Sequence, residues 1–520
     1  MNRLQALVFC SLTVAAASVR AAYTYTWNKP EGGDLHDPAN YTPGNPNWPA
    51  LPDAKGNAAV AYDLDATYTI TAKEDSTASQ GTQTFSAGNI TLDLNEHVWN
   101  LYTTALTFAN ATGSPFVTLA SGKITGCTSL TVGNTAGTDH YAAFVLDGTD
   151  ASLTMNNNLT VGSKGNDNVC IVTNGAQITD IRQIVVGSDA ASSRNLLHVS
   201  GEGSQVSATT VAATIGGGTG NVIRVTDKAY VKVKGVTVGS SASSWGSRLE
   251  VEDGAMLDCF SQALTVGSAG GGSTVTVDAA SVTNVNSVKI GTGSNNNLLQ
   301  ILNGAELHNI SSCAIGSGGS TNNTVLVSGA GSKFVNKAYD LTWDSSVSNS
   351  VVRVEDGALA DFMRFITVGT GVVGSNNALI LSNGTARTSF AINVKGGSLL
   401  EISGHGALAE VHSSTKDNST VYADATLRFV SDSEGFGKWT STCVIGAQDG
   451  AKIEIDARKV AKAGGGTFTL IETPNKPFSL SKQVLSDLTV VPANCTVTAE
   501  GRALTVTVPP PKNGLMLLIR

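Results

Sequence analysis

The residues of this chain best placed to do chemistry together are Glu250, Glu252 and Asp278, with Arg224 and Arg248 beside them. Glu252 and Asp278 hold equivalent places in successive units of a repeat. Acids and guanidinium groups set out in this way on adjacent rungs of a β-helix serve polysaccharide lyases and hydrolases, which use them to bind Ca²⁺ or to cleave uronates. Turn formation accounts for the same acids more simply, because Glu252 and Glu355 each precede an Asp-Gly step. No catalytic residue is assigned on this basis, and the three acids stand as candidates.

Other reactive side chains are dispersed. The seven histidines, His36, His97, His140, His198, His308, His405 and His412, fall at different repeat positions, and none recurs with a Ser or Cys partner, so no nucleophilic triad can be read. Gly216-Gly217-Gly218-Thr219-Gly220 and Gly270-Gly271-Gly272 lack the Lys and the following helix of a phosphate-cradling loop and fit coil corners instead. Beyond residue 21 the cysteines are Cys127, Cys170, Cys259, Cys313, Cys443 and Cys495, with no CxxC pair and no metal-ligand spacing. Cys170 occupies an apolar strand position, where a thiol packs as a small hydrophobe. Cys443 and Cys495 lie outside the regular rungs, and an oxidising compartment could join them. No cofactor motif is found. The net charge of −8 and pI near 5.4 argue against nucleic acid or an anionic membrane as partner, since phosphate binding needs clustered Lys and Arg.

What positions these residues is a repeat. Three-residue strand cores of the form apolar–any–apolar recur from Leu92-Asp93-Leu94 to Ile453-Glu454-Ile455, with centres at Asp93, Thr118, Val145, Ile171, His198, Arg224, Glu250, Thr276, Gln300, Leu326, Arg353, Ile380, Glu401, Arg428 and Glu454. The spacing is about 26 residues, the range of a solenoid, propeller or array. The short step from Ile380 to Glu401 predicts a coil with a shortened loop. A second strand precedes each core and ends in Val-Gly or Ile-Gly, as in Leu159-Thr160-Val161-Gly162 and Leu264-Thr265-Val266-Gly267, and Asn-Gly or Asp-Gly turns such as Asn303-Gly304 follow the core.

Hairpins built on those turns would make antiparallel meanders. Stacked parallel coils fit better. Three residues before the core centre stand Asn168, Asn195, Asn221, Ser247, Ser273, Asn297, Asn323, Ser350, Asn377 and Ser398, a ladder that makes sense only if equivalent positions stack. Charges in neighbouring rungs alternate, as in Arg224 beside Glu250 and Glu401 beside Arg428 beside Glu454. The fold class expected is all-β: a right-handed parallel β-helix of about 15 coils, two or three strands each, with N- and C-terminal caps over its open edges.

Both ends differ from the repeat. Arg3 precedes the apolar run Ala6–Ala17 and the small-residue site Val19-Arg20-Ala21, the pattern of a secretory signal over 1–21 cut before Ala22. No later segment is apolar enough to span a membrane. Residues 22–85 concentrate Tyr23, Tyr25, Trp27, Asp37-Pro38-Ala39-Asn40-Tyr41, Trp48 and Leu51-Pro52-Asp53, with Trp27 and Trp48 expected as a hydrophobic lid on the first rung and not as a sugar-stacking platform. This pattern of Trp27, Asp37, Ala39, Asn40, Tyr41, Pro52 and Asp53, with Tyr41 in place of a Trp, resembles the leading segment of exported bacterial proteins carrying autotransporter-associated β-strand repeats, and the Val-Gly and Asn-Gly-Ala steps extend the resemblance to about residue 455. Residues 86–455 are then the helix proper. Residues 456–520 hold shorter strand patterns expected as a C-terminal β cap and tail, with no barrel of aromatic-girdled strands. Repeats throughout and no concentrated polar site point to a secreted or cell-surface, adhesin-like structural solenoid without enzymatic activity, with extracellular glycans or envelope components as expected partners. A polysaccharide lyase or hydrolase is the alternative.

Overall fold

The computed structural model describes residues 24–43, 59–76, 81–136, 140–344, 346–371, 375–412, 417–476 and 479–511. The proposed export signal and its cut site, Trp48, Pro52, Asp53 and the tail after Pro511 lie outside these residues.

One coil shows how the sequence pattern becomes structure. Leu298–Leu302 forms the first strand. Asn303 and Gly304 then take φ of 52° and 83°, the left-handed region that these two residue types enter most cheaply. Glu306–Asn309 and Cys313–Ser317 follow as second and third strands, and Thr324–Ser328 opens the next coil. Each strand pairs in parallel with its equivalent one coil on: Leu299 with Val325, Leu307 with Phe334, Cys313 with Leu341. The product is a parallel β-solenoid of about 15 turns. At ~4.8 Å per rung it is roughly 70 Å long.

Alternate side chains point inward. Leu299, Ile301, Ala305, Leu307, Cys313 and Ile315 of this coil have no exposed surface, and the same columns continue above and below as one apolar core. The alanine after each turn, such as Ala176, Ala255, Ala305 and Ala358, is buried, because only a small side chain fits inside so tight a corner. Outward positions are free to be polar, which is how a chain with few aromatics still builds a continuous core.

The Asn/Ser ladder forms as expected and carries backbone hydrogen bonds. Asn168 donates its N–H and its amide Nδ2 to Asn195 Oδ1 at 3.0 and 2.9 Å, Asn195 does the same to Asn221 at 3.0 Å each, and Asn297 to Asn323 at 3.2 and 2.9 Å. These amides are buried, so the ladder satisfies main-chain donors at a corner where no strand partner reaches them. It also explains the Val-Gly steps. Gly133, Gly162, Gly187 and Gly267 have φ of 73° to 76°, and a Cβ at each would overlap the amide of Asn168, Asn195, Asn221 or Asn297 in the next coil.

Fourteen of the fifteen core centres stack as their spacing requires, from Thr118 opposite Val145 to Arg428 opposite Glu454. The first is displaced: Thr91, not Asp93, lies opposite Thr118. Ile90, Leu92 and Leu94 alternate, so two apolar pairs compete for one register. The chain resolves this by leaving the ladder after Asp93, where Asn95 and Glu96 turn with φ of 50° and 68°. The shortened coil after Ile380 is confirmed, with only Lys395–Gly397 between the strands Ala391–Val394 and Ser398–Ser403.

Parallel pairing reaches beyond the repeat at both ends. Thr24–Trp27 pairs with Ala59–Tyr62, that strand with Gln83–Phe85, and Thr67–Thr71 with Asn89–Asp93. Trp27 is fully buried, 6.1 Å from the Tyr68 ring in a stacked arrangement, so it cannot serve as a sugar platform. Tyr62, Phe85 and Phe108 stack in successive coils at 4.2 and 5.2 Å. The Asp-x-Ala-Asn-aromatic step has a local cause: Ala39 N–H donates to Asp37, the Asn40 amide to the Asp34 carbonyl and the Tyr41 hydroxyl to the Leu35 carbonyl. At the other end Thr489–Val491 adds to Lys452–Asp456 in parallel, and Gly466–Glu472, Ala503–Val508 and Thr496–Glu500 form an antiparallel group.

None of the six described cysteines takes part in a disulfide, so Cys443 and Cys495 are not joined. Among the described residues no helix is long and apolar enough to cross a membrane.

Candidate functional site

The repeat does bring the predicted acids together. Arg248–Glu252 and Thr274–Asp278 are neighbouring strands in which Glu252 lies opposite Asp278 and Glu250 opposite Thr276, while Arg224 lies opposite Glu250 on the other side. Glu250 is largely buried and gripped twice: Arg224 Nε and Nη2 reach its Oε2 at 2.6 Å, and Arg248 Nε reaches its Oε1 at 2.9 Å. Both carboxylate oxygens of Glu250 are thus engaged by guanidinium groups. The hydrogen bond to Glu250 raises the Arg224 pKa in turn.

Glu252 and Asp278 differ from it and from each other. Partial burial, and then the nearby Glu250 charge, raise the Glu252 carboxyl above its ordinary value. Asp278 accepts a hydrogen bond from the Asn303 amide at 2.8 Å, and its carbonyl accepts the N–H of Asp253 at 3.2 Å. Both acids therefore sit at the Asp253-Gly254 corner and help to build it. Their rung-to-rung spacing of ~4.8 Å is close to the ~5 Å that separates the carboxyls of a retaining glycosidase. What such chemistry also needs is a walled cleft. Four hollows on the described surface lie elsewhere, at Asp65–Phe116, Glu96–Gln177, Asn376–Arg428 and Glu401–Val491.

Two charged groups escaped the reading of the sequence as a site. The first lines a hollow of about 320 Å³ near the C-terminal end, where Arg428 bridges Glu454 at 2.7 Å and Glu401 at 3.3 Å beside Asp456, Arg458 and Val491. In the sequence its charges show only as an alternating column. The second runs along the second strands: Arg387 bonds Glu410 at 2.8 Å and approaches Asp361 at 4.0 Å, and His412 bonds Glu410 at 2.7 Å. Burial raises the Asp361 carboxyl. Burial would raise Glu410 too, but the hydrogen bonds from Arg387 and His412 outweigh it and leave that carboxyl below its ordinary range. This group was hidden because second strands are short and nearly featureless, as in Thr385-Ala386-Arg387-Thr388.

In each case a basic side chain is shared between acids of adjacent rungs, which is how a stack avoids like charges one above another. Among the described residues no set of three His, Cys, Asp or Glu side chains converges as a metal site. Comparison of the chain with protein-family models, curated proteins and solved structures gave no match.

Proposed function

We propose that this chain is a secreted or cell-surface β-solenoid of the autotransporter-associated repeat type, acting as a structural, adhesin-like rod and not as an enzyme. One observation carries the reading. The acids best placed for catalysis are already used by the rod, Glu250 by Arg224 and Arg248 and Asp278 by Asn303. Coils of nearly constant length support it further, since they leave no long loops to wall a cleft around Glu252. The apolar run before Ala21 supports export, and extracellular glycans or envelope components are the partners such a rod would meet.

Protease treatment of intact cells expressing the full chain tests the location: the rod should be shaved from the surface while cytoplasmic proteins survive, and full protection would refute surface display. The register of Glu252 with Asp278 favours the alternative, a polysaccharide hydrolase or lyase. New reducing ends or unsaturated uronates that disappear with Glu252→Ala or Asp278→Ala would establish it.

A further inference from the structure

The two Gly-rich stretches that resemble no phosphate loop turn out to flank one exposed aromatic. Trp245 is 56% exposed at a corner between third and first strands. Its carbonyl accepts the Gly220 N–H at 2.9 Å, and Gly246 N–H donates to the Gly271 carbonyl at 3.2 Å. The indole lies against the following loop: a Cβ on Gly271 would sit 2.7 Å from its Cζ3, and one on Gly272 3.0 Å from its Cε2. Bare glycine backbone therefore supports one side of the ring. The high exposure places the rest in solvent, with no packing role that requires a tryptophan.

The same corner continues as a column of amides. Asn296, Asn322, Asn349 and Asn376 precede the buried ladder residues by one position and are exposed, with φ between 50° and 60°. The left-handed conformation favours Asn there, but the next contacts go further: Asn322 Nδ2 donates to Asn296 Oδ1, and Asn376 Nδ2 to Asn349 Oδ1, each at 3.3 Å. Each such bond uses one of an amide's two N–H donors, so every rung retains donor and acceptor capacity facing water. The positions just before them, Trp245, Gly271, Asn295, Thr321, Ser348 and Ser375, are uncharged as well. From Thr219 to Asn376 these two columns hold no ionisable side chain; Arg194 and Asp167, paired at 2.7 Å, bound them at one end and Asp424, one rung past Gly397, at the other.

We propose that this strip binds a neutral polysaccharide lying along the rod axis, with one pyranose ring stacked on Trp245 and the next units hydrogen-bonded by the Asn296–Asn376 amides. A flat aromatic face suits the C–H face of a sugar ring, and primary amides pair with vicinal hydroxyls as donor and acceptor together. The rung spacing of ~4.8 Å is comparable to the advance of one pyranose unit, so successive amides meet successive sugars. Absence of charge selects against uronates. The inference rests on the non-enzymatic reading and names its ligand class.

The test is affinity electrophoresis of the full chain in gels containing dextran, laminarin, xylan or galactomannan, with alginate as the anionic comparison. Retardation by at least one neutral polymer is expected. It should weaken about tenfold or more in Trp245→Ala and severalfold in Asn322→Ala/Asn349→Ala, and stay unchanged in Tyr339→Ala, which removes an exposed aromatic elsewhere. The retarding polymer should also reduce acrylamide quenching of the wild-type chain and not of Trp245→Ala, a difference that isolates the exposed indole from the other five tryptophans. No retardation by any neutral polymer, unchanged retardation in Trp245→Ala, or binding only to alginate that high salt abolishes would each overturn the proposal. Cleavage of the bound polymer would overturn the non-enzymatic reading and leave the strip standing, whereas failure to bind would leave surface display standing.

Discussion

Gly162 and Asn195 lie in successive coils and compete for one space. Asn195 Oδ1 accepts the N–H and Nδ2 of Asn168 at 3.0 and 2.9 Å, and a Cβ on Gly162, where φ is 74°, would overlap the same amide. Asn195→Ala should cost about 1–3 kcal/mol by stranding a buried donor. Gly162→Ala should cost a similar amount or more through strain at positive φ and through the overlap. The double variant, in which the shortened side chain makes room for the new methyl, should cost less than the two together by about 1 kcal/mol. Urea unfolding of the four proteins measures this, and strict additivity would mean that glycine is there for its backbone alone. Each half of the pair was legible in the sequence, the Val-Gly corner and the Asn column. Their dependence on one another was not, because it joins residues more than a full repeat apart.

At the scale of the strand, parallel stacking and most of the register followed from the apolar–any–apolar cores, since a slip by one residue would turn a whole strand inside out. A slip by two keeps the inward face, and that is the error the alternation of Ile90, Leu92 and Leu94 invites. The second strand of each coil was the hardest to see. Glu306-Leu307-His308-Asn309 has a single large apolar residue, and its conformation is imposed by the strands above and below. The candidate acids were legible as neighbours because the register is fixed, but the grip of Arg248 on Glu250 within one strand depends on side-chain reach that spacing does not reveal. Charge pairing between strands makes its own prediction. Arg428 is partly exposed and bridges Glu401 and Glu454, so Arg428→Ala should cost about 1 kcal/mol or less. The loss should shrink in ~1 M salt, where the screening length falls to ~3 Å. Paired urea titrations at low and high salt check it, and a loss that ignores salt would show that the aliphatic stem of Arg428, not its charge, is what the column uses.

The whole molecule is close to one-dimensional: each coil touches only its neighbours, so stability is a sum of coils and the interfaces between them. A defect in the middle should spread along the rod as far as that coupling reaches and no further. Val251 tests this, because it lies fully buried between Val225 and Val277 in the adjacent coils. Aspartate there would put a charge into the apolar column with no partner, at a cost of several kcal/mol. In a globular core such a change unfolds everything. Here amide hydrogen exchange should quicken from about Val222 to Asp278, the coils in contact with the defect, while Ile90–Leu119 and Leu427–Ile455 keep native protection. Exchange that rises uniformly from end to end would show that the coils fold as a single cooperative unit. Exchange confined to Arg248–Glu252 would show the opposite, coils that scarcely support one another, and a rod of that kind could not hold the amide strip in line for a polymer spanning several rungs.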